Sequence, residues 1–146
     1  MVSKVLDVPR LLHFIKKGQG FDRIMHKIKI LSVGDGKCLA QLKVDDDHIN
    51  PMGGLHGGMS ATLLDCVSSY ALMSKDGPTF RHVSVDIYLN YLKTAKINDD
   101  LLIDASVVKR GDQLAFLQAE IKNKTTGDVL VKCANTKSIY SYTTED

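Results

Sequence analysis

Apolar and polar positions change their period several times along this chain, and the changes divide it into elements. From Val5 to Lys17, Leu11, Leu12, Phe14 and Ile15 fall at helical spacing. Gly18 and Gly20 close that segment. The stretch Lys4 to Lys17 is mildly basic and amphipathic, and Pro9 interrupts it. Alternation follows. Ile24, Ile28 and Ile30 share one face, with Lys27 and Lys29 on the other. Asp35-Gly36 signals a turn, after which Cys38, Ala40, Leu42 and Val44 alternate with Lys37, Gln41 and Lys43. The pattern predicts a half-buried hairpin. A polar loop runs from Asp45 to Leu55.

Met59 to Lys75 is the one long apolar helix candidate, apolar nearly all round, so a central buried helix is expected. Asp76-Gly77-Pro78 ends it. Four strands are predicted beyond it: His82 to Leu92, Leu101 to Arg110, Leu114 to Asn123 and Val129 to Tyr142. Asn98-Asp99-Asp100, Gly111-Asp112 and Thr126-Gly127-Asp128 separate them as tight turns, which makes much of the sheet antiparallel. Two strands, a buried helix and four strands imply an α+β fold, with a six-stranded sheet wrapped around the helix.

With 146 residues, the chain fits a single domain, residues 1–146, in which residues 1–22 form an N-terminal helical extension. Its formal net charge is +2. That balance, without any helix-turn-helix, RNP or zinc-finger pattern, argues against nucleic acid as a partner. No apolar run reaches the roughly 20 residues of a membrane span. Cys38, Cys66 and Cys133 are odd in number and lie in apolar stretches without a CxxC. They read as free thiols of a reducing compartment. The expected location is cytoplasmic, with the amphipathic N-terminus leaving a mitochondrial address open.

The candidate chemistry begins at Asn50-Pro-Met-Gly-Gly-Leu-His56-Gly57-Gly58, which runs straight into the buried helix. The first amides of a helix lack internal partners, and the helix dipole makes the region positive. Glycines admit a ligand close to the backbone. Such a site suits an oxygen that gains negative charge during reaction, with Asn50 and His56 as further donors or loop-positioning groups. Asp65 lies mid-helix, where an unpaired carboxylate is unfavourable. That makes it a candidate general base or nucleophile. Ser84, in Val83-Ser84-Val85-Asp86, lies on the opposite strand face from Val83, Val85 and Ile87 and is within reach of Asp65 or a water. Neither a Ser-His-Asp triad nor a Cys-His pair is recognisable. His48, His56 and Asp45 to Asp47 fit no metal-ligand spacing, so the acidic run reads as a solvated turn and no metal is expected.

Asn50, His56-Gly57-Gly58, Asp65 and the Val-Ser84-Val-Asp strand together resemble the hotdog acyl-CoA thioesterases of the phenylacetyl-CoA thioesterase-like group, most of all the eukaryotic thioesterase superfamily member 2 type. The resemblance spans about Ile24 to Tyr140. It implies a hotdog fold and hydrolysis of an acyl-CoA, medium- or long-chain, to free acid and coenzyme A. The Gly57 amide and Asn50 would polarise the thioester carbonyl, and Asp65 would activate water with Ser84 assisting. His56 would orient the loop and Asn50. Tyr91, Leu92, Lys93, Thr94, Ala95 and Lys96 would contact coenzyme A. So would Ser84 and the segment Lys109, Arg110, Gly111, Asp112, Gln113 and Leu114. Lys93-Thr94 departs from the small residue and proline common in relatives. No cofactor is implied, since coenzyme A is part of the substrate.

Helix geometry adds a separate expectation. Gly57 and Asp65 are eight positions apart on one helix, roughly 12 Å at about 1.5 Å per residue. One water cannot serve both within a chain, so a shared site requires a second copy across an isologous interface. A homodimer, extending to a homotetramer, is expected. Two other readings remain at this stage: a non-catalytic acyl-CoA binding module, which has no need of Asp65, and an acyl-thioester hydratase, whose His-acid arrangement this chain lacks.

Overall fold

The computed structural model describes residues 5–77 and 80–141. Its elements, in order, are α1 (Val8–Lys17), a 3₁₀ turn (Gly20–Met25), β1 (Lys29–Gly34), β2 (Lys37–Lys43), a short 3₁₀ turn (Asp46–His48), α2 (Gly57–Asp76), β3 (Phe80–Tyr91), β4 (Asp100–Arg110), β5 (Leu114–Asn123) and β6 (Val129–Ser141). The six strands form one sheet in the order β1-β2-β4-β5-β6-β3, and every neighbouring pair is antiparallel. The sheet curls around α2, the hotdog arrangement expected from the sequence.

The elements follow from local chemistry. Asp7 caps α1 by accepting from the Arg10 N–H, and Pro9 sits in the first turn. There its fixed φ is favourable and its missing N–H has no consequence. Pro9 therefore starts the helix at Val8 rather than interrupting one begun at Val5. The β1–β2 hairpin turns through Asp35 and Gly36 at φ 50 and 75, the left-handed pair of a tight hairpin turn. Leu63, Leu64, Val67 and Ala71 of α2 are fully buried against Ala40, Leu42, Leu101, Ile103 and Ile121 of the sheet.

Two further expectations are corrected. Ile24 belongs to the 3₁₀ turn, not to a strand. Gly20 has φ 65, and the His26 ring bonds the Gly18 carbonyl at 2.9 Å. Met25 is then driven into the core beside Ile28, which breaks the alternation, and pairing begins only at Lys29. The central helix starts at Gly57, two residues before Met59, because His56 supplies the cap. The terminal strand is described to Ser141; Tyr142 lies outside the described residues, as do Lys4 of the amphipathic stretch and Pro78 of the turn after α2.

Burial along β3 differs from that of the other strands. It forms one edge of the sheet, and Val83, Val85, Tyr88 and Tyr91 are each more than half exposed, at 54%, 59%, 64% and 56%.

Candidate active site

The loop before α2 is built by Asn50. Its Oδ1 accepts from the Met52 and Gly54 N–H groups at 2.9 and 3.1 Å, and its own N–H donates to the Gly54 carbonyl at 2.7 Å. The amide Nδ2 has no partner among the described residues and remains available to a ligand. A Cβ at Gly54 would lie 2.7 Å from Thr94 Oγ1, so glycine is required where the loop meets the segment after β3. His56 Nδ1 accepts from the Gly58 N–H at 2.8 Å, and the His56 N–H donates to the His48 carbonyl at 2.8 Å. His56 thus caps the helix and ties down the loop. It makes no direct bond to Asn50. Gly57 occupies the first position of α2, where its N–H has no intrahelical acceptor.

The acidic run is a turn. Asp45 caps the short 3₁₀ turn and pairs with Lys27 at 2.6 Å. Buried His48 accepts from the Asp45 N–H at 3.0 Å, and burial pushes its imidazole below the ordinary range. Among the described residues no group of three metal-ligating side chains converges.

Asp65 and Ser84 meet as expected. The Ser84 hydroxyl donates to Asp65 Oδ1 at 2.6 Å. Sequence reasoning missed the third member. Lys137 of β6 is the register partner of Ser84, is 1% exposed, and donates from Nζ to Asp65 Oδ1 at 2.8 Å and to Ser84 Oγ at 2.9 Å. The inward positions of β6 run Val131, Cys133, Asn135, Lys137, Ile139, all buried. The available signal was therefore a lysine in the inward phase of a strand. Asn135 was missed too; its Nδ2 donates to the Asp86 carbonyl at 2.6 Å, beside the bulge between Ser84 and Asp86.

The electrostatics follow from this packing. Burial by itself pushes the Asp65 carboxyl up, but the hydrogen bonds from Lys137 and Ser84 and the Lys137 charge outweigh it. The carboxyl is held below its ordinary value. Both bonds fall on Oδ1, and among the described residues none reaches Oδ2. The Asp65 side chain is 46% exposed. The site therefore presents an ionised carboxylate with one oxygen anchored and the other open to water. The neighbouring His82 imidazole is pushed down by burial and by Lys137.

The two segments expected at coenzyme A sit at opposite ends of α2. The Tyr91 hydroxyl donates to the Gly57 carbonyl at 2.8 Å, at the first residue of the helix. Leu92 and Lys93 N–H groups bond the Leu130 carbonyl, and Ala95 accepts from the Leu55 N–H. Thr94 lies against Gly54, Gly54 is bridged to Lys96, and Lys93 pairs with Asp128 at 2.6 Å. At the other end, Arg110 Nε donates to Asp76 Oδ1 at 2.8 Å, at the last residue of the helix. Arg110 also bonds the Gly111 and Asp112 carbonyls and stacks over the Phe80 ring. Lys109, Gln113 and Leu114 beside it are exposed.

This chain is similar to known proteins over nearly its whole length. Residues 52–130 match the thioesterase superfamily. Acyl-coenzyme A thioesterase 13 of Mus musculus is 35% identical over 139 residues, covering 95% of this chain and 99% of the mouse protein. Among solved structures, zebra fish thioesterase superfamily member 2 superposes with a TM-score of 0.86 at 37% identity, over 91% of this chain and 98% of that one. A thioesterase protein of Streptococcus pneumoniae solved with coenzyme A gives 0.78 at 25% identity, over 90% and 96%. With its helix start, its mid-helix carboxylate and these matches over nearly its whole length, the chain belongs to the thioesterase superfamily.

Proposed function

We propose that this protein hydrolyses medium- or long-chain acyl-CoA to the free acid and coenzyme A, in sites shared between two subunits of a homo-oligomer. The observation that carries the reading is Asp65: an ionised carboxylate, mid-helix, with one oxygen pinned by Ser84 and Lys137 and the other open. Such a group suits proton abstraction from water. A binding module without catalysis has no use for it.

In this mechanism the thioester carbonyl lies at the start of α2, where the Gly57 N–H and Asn50 Nδ2 donate to its oxygen. That oxygen becomes negative as water adds, so the two donors bind the transition state more tightly than the substrate. Asp65 Oδ2 takes the water's proton. The tetrahedral intermediate collapses by breaking the C–S bond, and coenzyme A leaves as thiol or thiolate. The reaction uses water and the protein's own groups, with no cofactor. An open pocket of about 280 Å³ beside the helix start, lined by Phe21, Ile24, Ile49, His56, Met59 and Thr62, offers an apolar surface for the acyl chain. The three thiols, all pushed up by burial, fit a reducing cytoplasmic or mitochondrial compartment.

Sharing between subunits is supported by separation along α2. Gly57 and Asp65 are roughly 12 Å apart along the axis, and the two coenzyme A segments meet the helix 19 residues apart, roughly 28 Å at about 1.5 Å per residue. A water attacking a carbonyl held at Gly57 cannot also touch Asp65 of the same chain. The exposed apolar edge β3 carries Ser84 and is suited to pairing with a second copy, which supports the homodimer in this reading.

Thiol release from a series of acyl-CoA substrates tests the reaction, and complementation tests the shared site. Asn50→Ala and Asp65→Asn are each expected to be nearly inactive. Refolded together, they should regain activity, because a mixed dimer holds one site with both groups intact. Heterodimers that form without any recovery would exclude the shared site, and wild-type protein that releases no thiol from any acyl-CoA would exclude the activity.

A further inference from the structure

We infer that Lys137 is a positioning residue of the active site, which anchors Asp65 Oδ1 and keeps Asp65 ionised and aimed with Oδ2 toward the reacting water. The inference rests on the reading of Asp65 as the base.

Three observations on independent elements converge on Lys137. The first is burial. Lysine is almost never fully buried unless paired, yet Lys137 is 1% exposed, in an inward position of a six-stranded sheet. Nothing in the fold demands a charge there: the inward positions on either side are the uncharged Asn135 and Ile139, with Cys133 and Val131 beyond Asn135. A buried ion pair is often no more stabilising than an apolar replacement of equal size, so stability alone does not account for it.

The second is geometry. One ammonium reaches Asp65 Oδ1 at 2.8 Å, Ser84 Oγ at 2.9 Å and, at 3.5 Å, the Asp65 carbonyl. An ammonium only donates, so Ser84 Oγ must accept from Lys137. The long contact from Asn135 Nδ2 at 3.4 Å is also a donor. The Ser84 proton is thereby directed at Asp65 Oδ1, where the bond is 2.6 Å. Lys137 sets the direction of both bonds that anchor the carboxylate.

The third is the rest of the electrostatic surroundings. The groups facing the pair are His82 on β3, Cys133 on β6 and Cys66 on α2 itself. Burial holds the imidazole below its ordinary range and raises both thiols, Cys66 to about 12 and Cys133 to about 11. All three are neutral near pH 7, so Lys137 is the buried cation available to hold Asp65 ionised.

The test compares kcat, KM and the pH profile of thiol release for wild type, Lys137→Met, Lys137→Gln and Lys137→Arg. With the ammonium gone, burial of Asp65 is opposed only by the Ser84 hydrogen bond and the smaller influence of His82, and its pKa rises. The acid limb of kcat should move to higher pH, and kcat near neutrality should fall about tenfold, a fraction of a full general-base contribution. KM should change little, because no substrate contact is removed. Lys137→Arg retains charge and donors and should restore part of kcat and return the limb toward wild type. Lys137→Gln keeps a neutral donor of similar reach and gives the same reading if the methionine variant fails to fold. An unmoved acid limb with near-wild-type kcat in either neutral variant overturns the inference. Asp65→Asn, assayed in parallel, separates the two ideas: if it retains kcat, Asp65 is not the base; if it is inactive while the Lys137 variants match wild type, only the role of Lys137 falls.

Discussion

Two aspartates on α2 face two basic residues on the sheet, and they do different work. Asp65 and Asp76 are 11 positions apart, about 1,100° of helix, or some 20° beyond three full turns. They share one stripe of the helix. Asp76 is 5% exposed, and Arg110 takes both its oxygens, at 2.8 and 3.3 Å. The planar guanidinium matches a carboxylate on two bonds, so both oxygens are engaged and the side chain is nearly closed to water. Asp65 is paired to an ammonium, a point donor, which holds a single oxygen. Its other oxygen stays open, with 46% of the side chain exposed. The bidentate pair ties the end of the helix to the sheet, and in the proposed mechanism the monodentate pair holds the base in place.

The largest effect that sharpens this contrast is on turnover. Asp65→Asn is nearly isosteric but does not accept the water's proton, and kcat should fall about 100-fold or more. Asp76→Asn, assayed at a temperature where it is fully folded, should keep kcat within a few-fold of wild type. Comparable losses in both would erase the distinction.

Next in size is a loss of stability without a loss of chemistry. Arg110→Ala leaves a nearly buried Asp76 charge without its partner and removes the stack on Phe80. Breaking a buried pair in this way destabilises by about 3 kcal/mol, which chemical denaturation measures as a lower midpoint at unchanged slope. A midpoint equal to wild type would show that the pair is no staple.

The smallest effect concerns Lys109, the exposed neighbour of Arg110. If Lys109 contacts the phosphates of coenzyme A, as the resemblance implies, it acts through a field screened over about 10 Å at 0.1 M salt. Lys109→Ala should raise KM several-fold at low salt with kcat little changed. The effect should shrink at high salt and vanish for a thioester lacking the nucleotide. An unchanged KM at low salt would move the phosphate contact away from this strand end.

Most of the fold was legible because its signals are local. The period-two runs, the turn dipeptides and the all-round apolar helix each depend on near neighbours, and they placed β2 to β6 and α2 within a few residues. The loop glycines, Asn50 and Asp65 also stood out, each as a residue type out of keeping with its segment. The misplaced stretch is Ile24 to Ile28, where alternation on paper was overridden by the Gly20 turn and the burial of Met25.

The sequence by itself determined the order of elements, the buried helix and the carboxylate that helix carries, because each is written in the spacing of nearby side chains. Only the tertiary structure decided what surrounds that carboxylate. Lys137 lies 72 positions from Asp65 and 53 from Ser84, and the three meet because β3 and β6 pair antiparallel with Ser84 opposite Lys137. It likewise decided that Arg110, one of two adjacent basic residues, turns inward to Asp76 while Lys109 stays in water. Strand pairing and sheet curvature bring such distant residues together, and no local pattern encodes either.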